Sequence, residues 1–305
     1  MTDDIAVVDT HQHFWDLTAH DQPWLRQAGY PQLLRNFGPG DLRPLARAAG
    51  VSATVVVQTL IHPAETPELL EIAAAEDLVA GVVGWVDLLD PAAAGALAAL
   101  QARPDGAWLR GIRHPLLVED DEWLRQPAAL RGLAAVEAAE LCFDVVVRPS
   151  QLPAAIAAAR ARPGLTFVLD HLGNPDLSSG LRPDEGWLRA ITELAALPNT
   201  VCKLSGILGE PAPAGHDPGP GEPGPGPAVV HLVPWYDAVL QAFGPGRLMF
   251  GSDWPVCTVS APYHSVLSAA RALTAELSAA ERRELFARTA RRVYRLGLAP
   301  ATSPS

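Results

Sequence analysis

Short apolar runs alternate with amphipathic or alanine-rich stretches along almost all of the 305 residues. The apolar runs are continuous rather than alternating, which is typical of parallel strands buried on both faces. The first run begins at Ile5 and leads into His11 and His13. Seven further strands are predicted at residues 53–58, 79–86, 108–113, 141–147, 165–169, 200–204 and 247–250. Helices are predicted at residues 41–49, 66–77, 91–101, 128–139, 153–160, 184–197, 233–243, 262–275 and 279–296, the last with a break near Ala290.

Eight strands, each followed by a helix, predict a (β/α)8 TIM barrel formed by one domain over residues 1–305. The alternative is a doubly wound open sheet. No Gly-x-Gly-x-x-Gly follows the first strand, and no Gly-Lys-Ser/Thr phosphate loop occurs, so the barrel is favoured. A Gly/Pro-rich segment at residues 209–227 interrupts the pattern, and we expect a flexible insert after the seventh strand, either a lid or without a role.

Composition and charge exclude several classes of function. The net charge is −11 without any Lys/Arg run, so nucleic acid is not an expected partner. No apolar stretch approaches the about 20 residues that span a bilayer, and no signal peptide is evident, so a cytoplasmic protein without membrane contact is expected. The three cysteines, Cys142, Cys202 and Cys257, lie in apolar surroundings and are expected to be small buried side chains rather than disulfide partners.

Polar residue types collect where the predicted strands end. In a barrel, the carboxyl ends of the strands converge on one site, and buried polar groups there cost free energy unless they are paired. The strand ends therefore predict a functional site, and they contribute His11, His13, Gln58, Arg113, His114, Arg148, Asp170, His171, Lys203, Ser205 and Asp253.

Three histidines and one aspartate of this set are the strongest candidates for catalysis or metal binding. His11 and His13 are two residues apart at a strand end, point the same way, and can hold one metal ion together with a carboxylate. Asp253 is the candidate general base, with a helix N-cap as its alternative. His171 is a candidate to bind metal or to donate to a carbonyl oxygen, unless it is a core histidine paired with Asp170.

The remaining strand-end residues are candidates for binding substrate. Arg113 can clamp a carboxylate or hydroxyl groups, with a structural ion pair as the alternative. Lys203 can hydrogen-bond substrate, unless it pairs with a neighbouring acid. Gln58 and His114 are weaker candidates. The histidines outside strand ends are expected in surface or loop roles, and they are His20, His62, His231 and His264.

Five stretches resemble one known family. They are residues 8–16 (VDTHQHFWD), 111–114 (GIRH), 168–173 (VLDHLG), 202–206 (CKLSG) and 248–257 (LMFGSDWPVC). In this order the chain resembles the amidohydrolase-related (amidohydrolase family 2) proteins, in the branch of the sugar lactonases, from residue 5 to about 296. The resemblance implies a distorted TIM barrel and hydrolysis by a water that Asp253 activates. His11, His13 and His171 match the family's strand-one pair and strand-six histidine by position.

The chain departs from the two-metal pattern of this superfamily. That pattern places a bridging Lys or Glu after strand four and a metal-binding His after strand five, where this chain has Arg113-His114 and Arg148. The resemblance therefore implies one divalent ion, most often zinc, held by His11, His13 and Asp253. It also permits no metal at all, because lactones are activated esters.

The resemblance favours a hydrolase that opens a sugar-derived lactone. Arg113, His171 and Lys203 would orient the lactone and stabilise the developing oxyanion, while Trp24 and Trp254 would offer apolar faces to the sugar. Two other functions remain open, a metal-dependent decarboxylase of aromatic or enol acids and a non-catalytic barrel that binds a sugar acid. The expected partner is a small-molecule lactone, and the sequence leaves monomer or homo-oligomer open.

Overall fold

The computed structural model describes residues 5–26, 30–177, 182–206 and 229–297. Eight parallel strands form one sheet in which each strand pairs with the next along the chain. They are β1 (Val7–Gln12), β2 (Val51–Val57), β3 (Val79–Gly84), β4 (Leu109–Pro115), β5 (Cys142–Val146), β6 (Phe167–Leu169), β7 (Thr200–Leu204) and β8 (Leu248–Phe250). This confirms the predicted (β/α)8 barrel.

The sheet closes into a barrel at the carboxyl end of its first strand. Gln12 forms a parallel bridge to Trp254, just beyond β8. The backbone N–H of His13 donates to the Trp254 carbonyl at 2.7 Å, and the N–H of Asp253 donates to the His11 carbonyl at 2.7 Å. The closure therefore joins the two segments that carry the candidate metal ligands.

The helices follow the strands as the alternation predicts. They are α1 (Pro39–Ala49), α2 (Glu65–Ala75), α3 (Ala93–Gln101), α4 (Pro127–Ala138), α5 (Leu152–Ala161), α6 (Glu185–Ala195), α7 (Val229–Phe243), α8 (Tyr263–Leu273), α9 (Ala279–Arg283) and α10 (Thr289–Val293). The predicted break near Ala290 corresponds to a π-helical turn at Glu284–Arg288, which ends just before Ala290 and separates α9 from α10. Short 3-10 turns at Pro23–Arg26 and Pro31–Leu33 lie in the connection between β1 and α1.

Strand residues are divided between two buried apolar clusters because successive side chains point to opposite faces. The larger cluster packs the sheet against the surrounding helices. The smaller one fills the barrel interior with side chains such as Val8, Val83 and Met249. It also includes side chains from residues 287–296, which we call the C-terminal segment. Cys142, the first residue of β5, donates its thiol to the Val293 carbonyl at 3.1 Å. The C-terminal segment therefore closes the amino end of the barrel and leaves the carboxyl end for the site.

Other expectations have mixed outcomes. All three cysteines are free and buried, as predicted. The Gly/Pro-rich segment at 209–227 lies outside the described residues. Within the described part of the chain, no helix has both the length and the apolar character needed to cross a membrane.

Candidate active site

Four side chains meet at the carboxyl end of the barrel, and we name them the His–Asp cluster: His11, His13, His171 and Asp253. The Nε2 atoms of His13 and His11 lie 3.3 and 3.7 Å from Asp253 Oδ1. The His11 ring centroid is 4.9 Å from that of His13 and 4.4 Å from that of His171. One donor atom each from His11, His171 and Asp253 lies within 4.8 Å of the other two, the spacing of a metal site. The structure thus brings together the three histidines and the aspartate that were the strongest candidates among the strand-end residues.

His13 is oriented by the neighbouring strand. Its Nδ1 lies 2.7 Å from the Val57 carbonyl at the end of β2, so Nδ1 carries the hydrogen and donates it. The ring thus turns Nε2 toward the Asp253 carboxylate, and these two potential ligand atoms lie 3.3 Å apart. When two ligand atoms each lie about 2.0–2.1 Å from one tetrahedral zinc ion, the distance between them is about 3 Å or slightly more. The donor set and its spacing fit a single divalent ion.

His171 is held by an unusual local backbone. Its φ is 53°, in the left-handed region, and its Nδ1 hydrogen-bonds with Ser205 Oγ at 2.9 Å. Gly206 has φ 67°, and a Cβ there would lie 2.7 Å from His171 Nδ1. Only glycine therefore leaves room for the ring in this position. Burial lowers the pKa of His171, and nearby Arg113 and Lys203 lower it further against the opposing charges of Asp253 and Asp170.

Asp253 is an ionised carboxylate among the histidines. Burial by itself would raise its pKa, but His171, His13 and His11 outweigh that effect and lower the pKa to about 2. The residue is only 8% exposed and has φ 60°. The side chain faces the histidines, and the short helical turn that follows has Pro255 at its N-cap. The helix-cap alternative is therefore not the arrangement in the structure.

The Asp9 carboxylate hydrogen-bonds to both segments that close the barrel. It was not among the residues predicted for the site. Its carboxylate accepts hydrogen bonds from the backbone N–H of His11 at 3.2 Å and of Ser252 at 2.8 Å. The Tyr263 hydroxyl donates to its other oxygen at 3.0 Å. Burial raises the pKa of Asp9 to about 6 against these hydrogen bonds. The feature of the sequence that could have identified Asp9 is the position of a carboxylate inside a predicted buried strand.

A buried ion-pair network lies beneath the His–Asp cluster. Lys203 is fully buried, and its Nζ lies 2.6 Å from Asp144 Oδ2, 3.0 Å from Asp170 Oδ1 and 3.1 Å from His11 Nδ1. Asp144 also accepts hydrogen bonds from the Tyr294 hydroxyl. The alternative that Lys203 pairs with neighbouring acids is therefore the one the structure contains, and Asp144 and Tyr294 are members that the sequence analysis missed.

Arg113 stands between this network and the cluster. Its Nη1 lies 3.3 Å from both His11 Nε2 and Asp170 Oδ2. Its Nη2 donates to the backbone and side-chain oxygens of Gln58. Burial opposes ionisation of Asp170, but Lys203, His11 and Arg113 hold its pKa well below the usual value. Burial, with Lys203 and His171, keeps the pKa of His11 well below its usual value although Asp170 pulls it upward. Asp170 thus pairs with His11 rather than with His171.

Three of the predicted substrate contacts lie apart from the cluster. His114, within β4 rather than after it, accepts from Trp85 Nε1 at 3.2 Å, contacts Glu119 and stacks on Trp123. Trp24 donates to Gln22 and packs edge-on against Trp15. Trp254 is 1% exposed and packs against Phe14 and Phe37. In this conformation Trp254 is part of the core and presents no face to a ligand.

Arg148 also lies apart, because its guanidinium pairs with Asp121 and donates to backbone carbonyls in the segment after β4. These contacts of Arg148 fix the position of the segment that connects β4 to α4. The contacts of Arg148 and His114 thus lie outside the His–Asp cluster.

A parallel eight-stranded barrel with three histidines and an ionised aspartate at its strand ends defines a hydrolase of the TIM-barrel class. More particularly, the chain belongs to the amidohydrolase family, whose model matches residues 8–296. It is 41% identical to an L-fucono-1,5-lactonase of Burkholderia multivorans, over 95% of this chain and 96% of that protein. It is also 41% identical to an L-fucono-1,5-lactonase of Burkholderia ambifaria, over 82% of this chain and 80% of that protein.

A solved structure supports the same relationship. The crystal structure of an amidohydrolase from Burkholderia multivorans with bound zinc is 39% identical in sequence, with a TM-score of 0.84. The match covers 95% of this chain and 99% of that one.

Proposed function

We propose that this protein is a lactonase that opens a sugar-derived lactone by attack of water on the ring carbonyl. The observation that carries the proposal is the ionised Asp253 carboxylate, held among three histidines at the strand ends of an amidohydrolase barrel. The two relatives that are 41% identical make L-fucono-1,5-lactone the first substrate to test.

Asp253 is the general base of this reaction. Its carboxylate accepts a proton from a water molecule beside it while the water oxygen attacks the carbonyl carbon. The bond between that carbon and the ring oxygen then breaks, and the ring oxygen leaves as an alcohol after receiving the proton. The product is the open-chain aldonic acid, so each turnover releases one acid group.

The other residues orient the lactone and stabilise its charge. Arg113 Nη1 lies at the edge of the His–Asp cluster and can donate to the carbonyl oxygen as negative charge develops there. His171, whose ring centroid lies 4.4 Å from that of His11, is a second donor candidate. Lys203 and Gln58 are completely buried, so we assign them to holding His11 and Arg113 rather than to direct substrate contact. Trp24 and His114 remain proposed contacts for outer parts of a substrate.

The cluster also fits one divalent ion, and zinc matches its nitrogen and oxygen donors. His11, His171 and Asp253 would hold this ion, since one ligand atom from each lies within 4.8 Å of the others, and the predicted ligand His13 adds an Nε2 that lies 3.3 Å from Asp253 Oδ1. When bound, such an ion lowers the pKa of water and polarises a carbonyl group.

The test is acid release by purified, metal-analysed protein from L-fucono-1,5-lactone and from a panel of other aldono-1,4- and 1,5-lactones. We expect turnover with at least one lactone, and Asp253→Asn to lower kcat by at least about 100-fold. Asp237→Asn, an exposed change on α7, is the matched control and should leave kcat unchanged. Hydrolysis of every lactone at its spontaneous rate would sink the proposal. Carbon dioxide release from an aromatic acid would then support a decarboxylase, and tight sugar-acid binding without turnover a sensor.

A further inference from the structure

We propose that Tyr294 and Asp144 are positioning residues for the active site, acting through Lys203 on His11. The inference rests on the proposed lactonase function and adds two residues that do not belong to the His–Asp cluster. Tyr294 lies just beyond α10, in the C-terminal segment that closes the opposite end of the barrel. It thus gives this segment a part in catalysis as well as in packing.

The chain of contacts is continuous and buried from end to end. The Tyr294 hydroxyl donates to both Asp144 oxygens, at 3.0 and 2.8 Å. Asp144 Oδ2 accepts from Lys203 Nζ at 2.6 Å, and the same Nζ lies 3.1 Å from His11 Nδ1. The Tyr294 ring also lies beneath the ammonium group, with Nζ 5.5 Å from the ring centroid. Four side chains thus connect the C-terminal segment to a proposed metal ligand.

Lys203 needs this support because its side chain is long and flexible. A lysine ammonium is a point charge on four rotatable carbons, so its position depends on the groups that surround it. Asp144 and Asp170 supply two oxygens, and Asp170 is itself shared with Arg113. Without the Tyr294 hydroxyl, Asp144 keeps its ion pair with Lys203 but loses the hydrogen bond that fixes its orientation, so the pair can shift and move Lys203 relative to His11.

Each nitrogen of the His11 ring has a cationic side chain nearby, but a neutral ring accepts a hydrogen bond at only one nitrogen. Lys203 lies 3.1 Å from Nδ1, and Arg113 lies 3.3 Å from Nε2. Nδ1 also lies 3.2 Å from Asp170 Oδ1, which Lys203 Nζ contacts at 3.0 Å, so Lys203 acts on the ring directly or through Asp170. Moving Lys203 therefore changes the angle at which the imidazole meets Asp253 and His171. Since Tyr294 and Asp144 do not touch the proposed substrate position, the loss should fall on kcat and leave KM nearly unchanged.

The experiment compares Tyr294→Phe with Tyr236→Phe. Both remove one buried hydroxyl, but the Tyr236 hydroxyl has no hydrogen-bond partner among the described residues. We expect Tyr294→Phe to lower kcat about 10-fold with KM within about 2-fold, since 1.36 kcal/mol of lost transition-state stabilisation is tenfold in rate. Tyr236→Phe should keep the kcat of the unchanged protein. Asp144→Asn should lose at least as much activity as Tyr294→Phe.

Stability and spectroscopy separate positioning from general damage. Rates are measured well below the Tm of each variant, so that unfolded protein does not contribute. The imidazole ¹⁵N shifts of His11, assigned with His11→Gln, should move in Tyr294→Phe and stay in place in Tyr236→Phe. Unchanged kcat and unchanged His11 shifts in Tyr294→Phe would overturn the inference. If the unchanged protein hydrolyses no lactone, the proposed function fails, and unmoved His11 shifts would separately refute the positioning role.

Discussion

Lys203 Nζ and Asp144 Oδ2 are 2.6 Å apart, and neither side chain is exposed to solvent. The two residues come from β7 and β5, which are not neighbours in the sheet, so the contact crosses the barrel interior. Burying two charges is costly, and the mutual attraction compensates only while both partners are present. This relationship makes the centre of the barrel sensitive to single substitutions.

Lys203→Met should therefore destabilise the fold strongly. The change leaves Asp144 and Asp170 buried without their shared cation, and removing one partner of a buried pair costs about 3–5 kcal/mol. Urea unfolding measures the loss. The double variant Lys203→Met/Asp144→Asn should recover part of it, because one orphaned charge is removed. Additive losses in the double variant would show that the two groups do not interact.

Gly206→Ala should reduce activity more than it reduces stability. A Cβ at this position would lie 2.7 Å from His171 Nδ1, and the left-handed backbone costs a non-glycine residue about 1–2 kcal/mol. The His171 ring must move, so we expect a loss of kcat in protein that still unfolds cooperatively. Gly244→Ala is the matched control, since Gly244 also has a positive φ of 69° and a Cβ there meets nothing within 4 Å. Equal activity in both variants would remove His171 from the site.

The rate of lactone hydrolysis should be nearly independent of pH from about 6.5 to 8, after subtraction of spontaneous hydrolysis. Asp253 has its pKa lowered to about 2, so the base stays ionised throughout this range. The pKa of His171 is lowered, and it gains a proton only below the ordinary histidine value of 6.5. The profile of kcat/KM against pH tests this. A fall in rate between pH 8 and 7 would show that another group controls the reaction.

Removal of metal should lower the thermal stability of the protein if the His–Asp cluster holds zinc. A ligand that binds only the folded state at 100 times its Kd contributes about 2.7 kcal/mol. We expect chelation to lower the Tm by several degrees and added zinc to restore it. His13→Asn should reduce the zinc content measured by mass spectrometry. A Tm unaffected by both treatments, with no zinc in the purified protein, would support the metal-free alternative.

Trp254→Ala should lower the stability of the fold strongly, whereas Trp24→Ala should lower it less. Trp254 is fully packed between Phe14 and Phe37, and emptying such a site costs about 3–5 kcal/mol. Trp24 is only partly buried, so its loss should cost less stability. An increase in KM confined to Trp24→Ala would support its proposed contact with substrate. A raised KM in Trp254→Ala without loss of stability would contradict its assignment to the core.

The order of strands and helices was predictable because burial on both faces leaves a continuous apolar run for each strand. Eight such runs with helices between them have few compact solutions, and the barrel is the one that places every strand end at the same face. The shared strand-end position thus predicted that His11, His13, His171 and Asp253 lie together, although they come from three separate stretches of the chain. It also located Arg113 and Lys203 beside them.

Two of the predicted substrate contacts, Trp254 and His114, lie apart from the His–Asp cluster, and their positions depend on tertiary distances that a sequence pattern does not contain. Trp254 directly follows the proposed base, yet the barrel closure turns its ring into the core. His114 adjoins Arg113, but successive residues of a strand face opposite sides, and His114 packs on Trp123. Adjacency in sequence suggested a shared site, and the alternation of strand side chains separated them.

By itself the sequence determined the fold class and the residues that form the His–Asp cluster, because periodicity and strand-end chemistry are local properties. Only the tertiary structure decided that Tyr294 meets Asp144, which is 150 positions away in the chain. It also decided that Lys203 is a buried ion-pair partner and that His13 turns its Nε2 toward Asp253. These contacts form only when the barrel closes and the C-terminal segment packs into it. A local sequence pattern therefore cannot predict them.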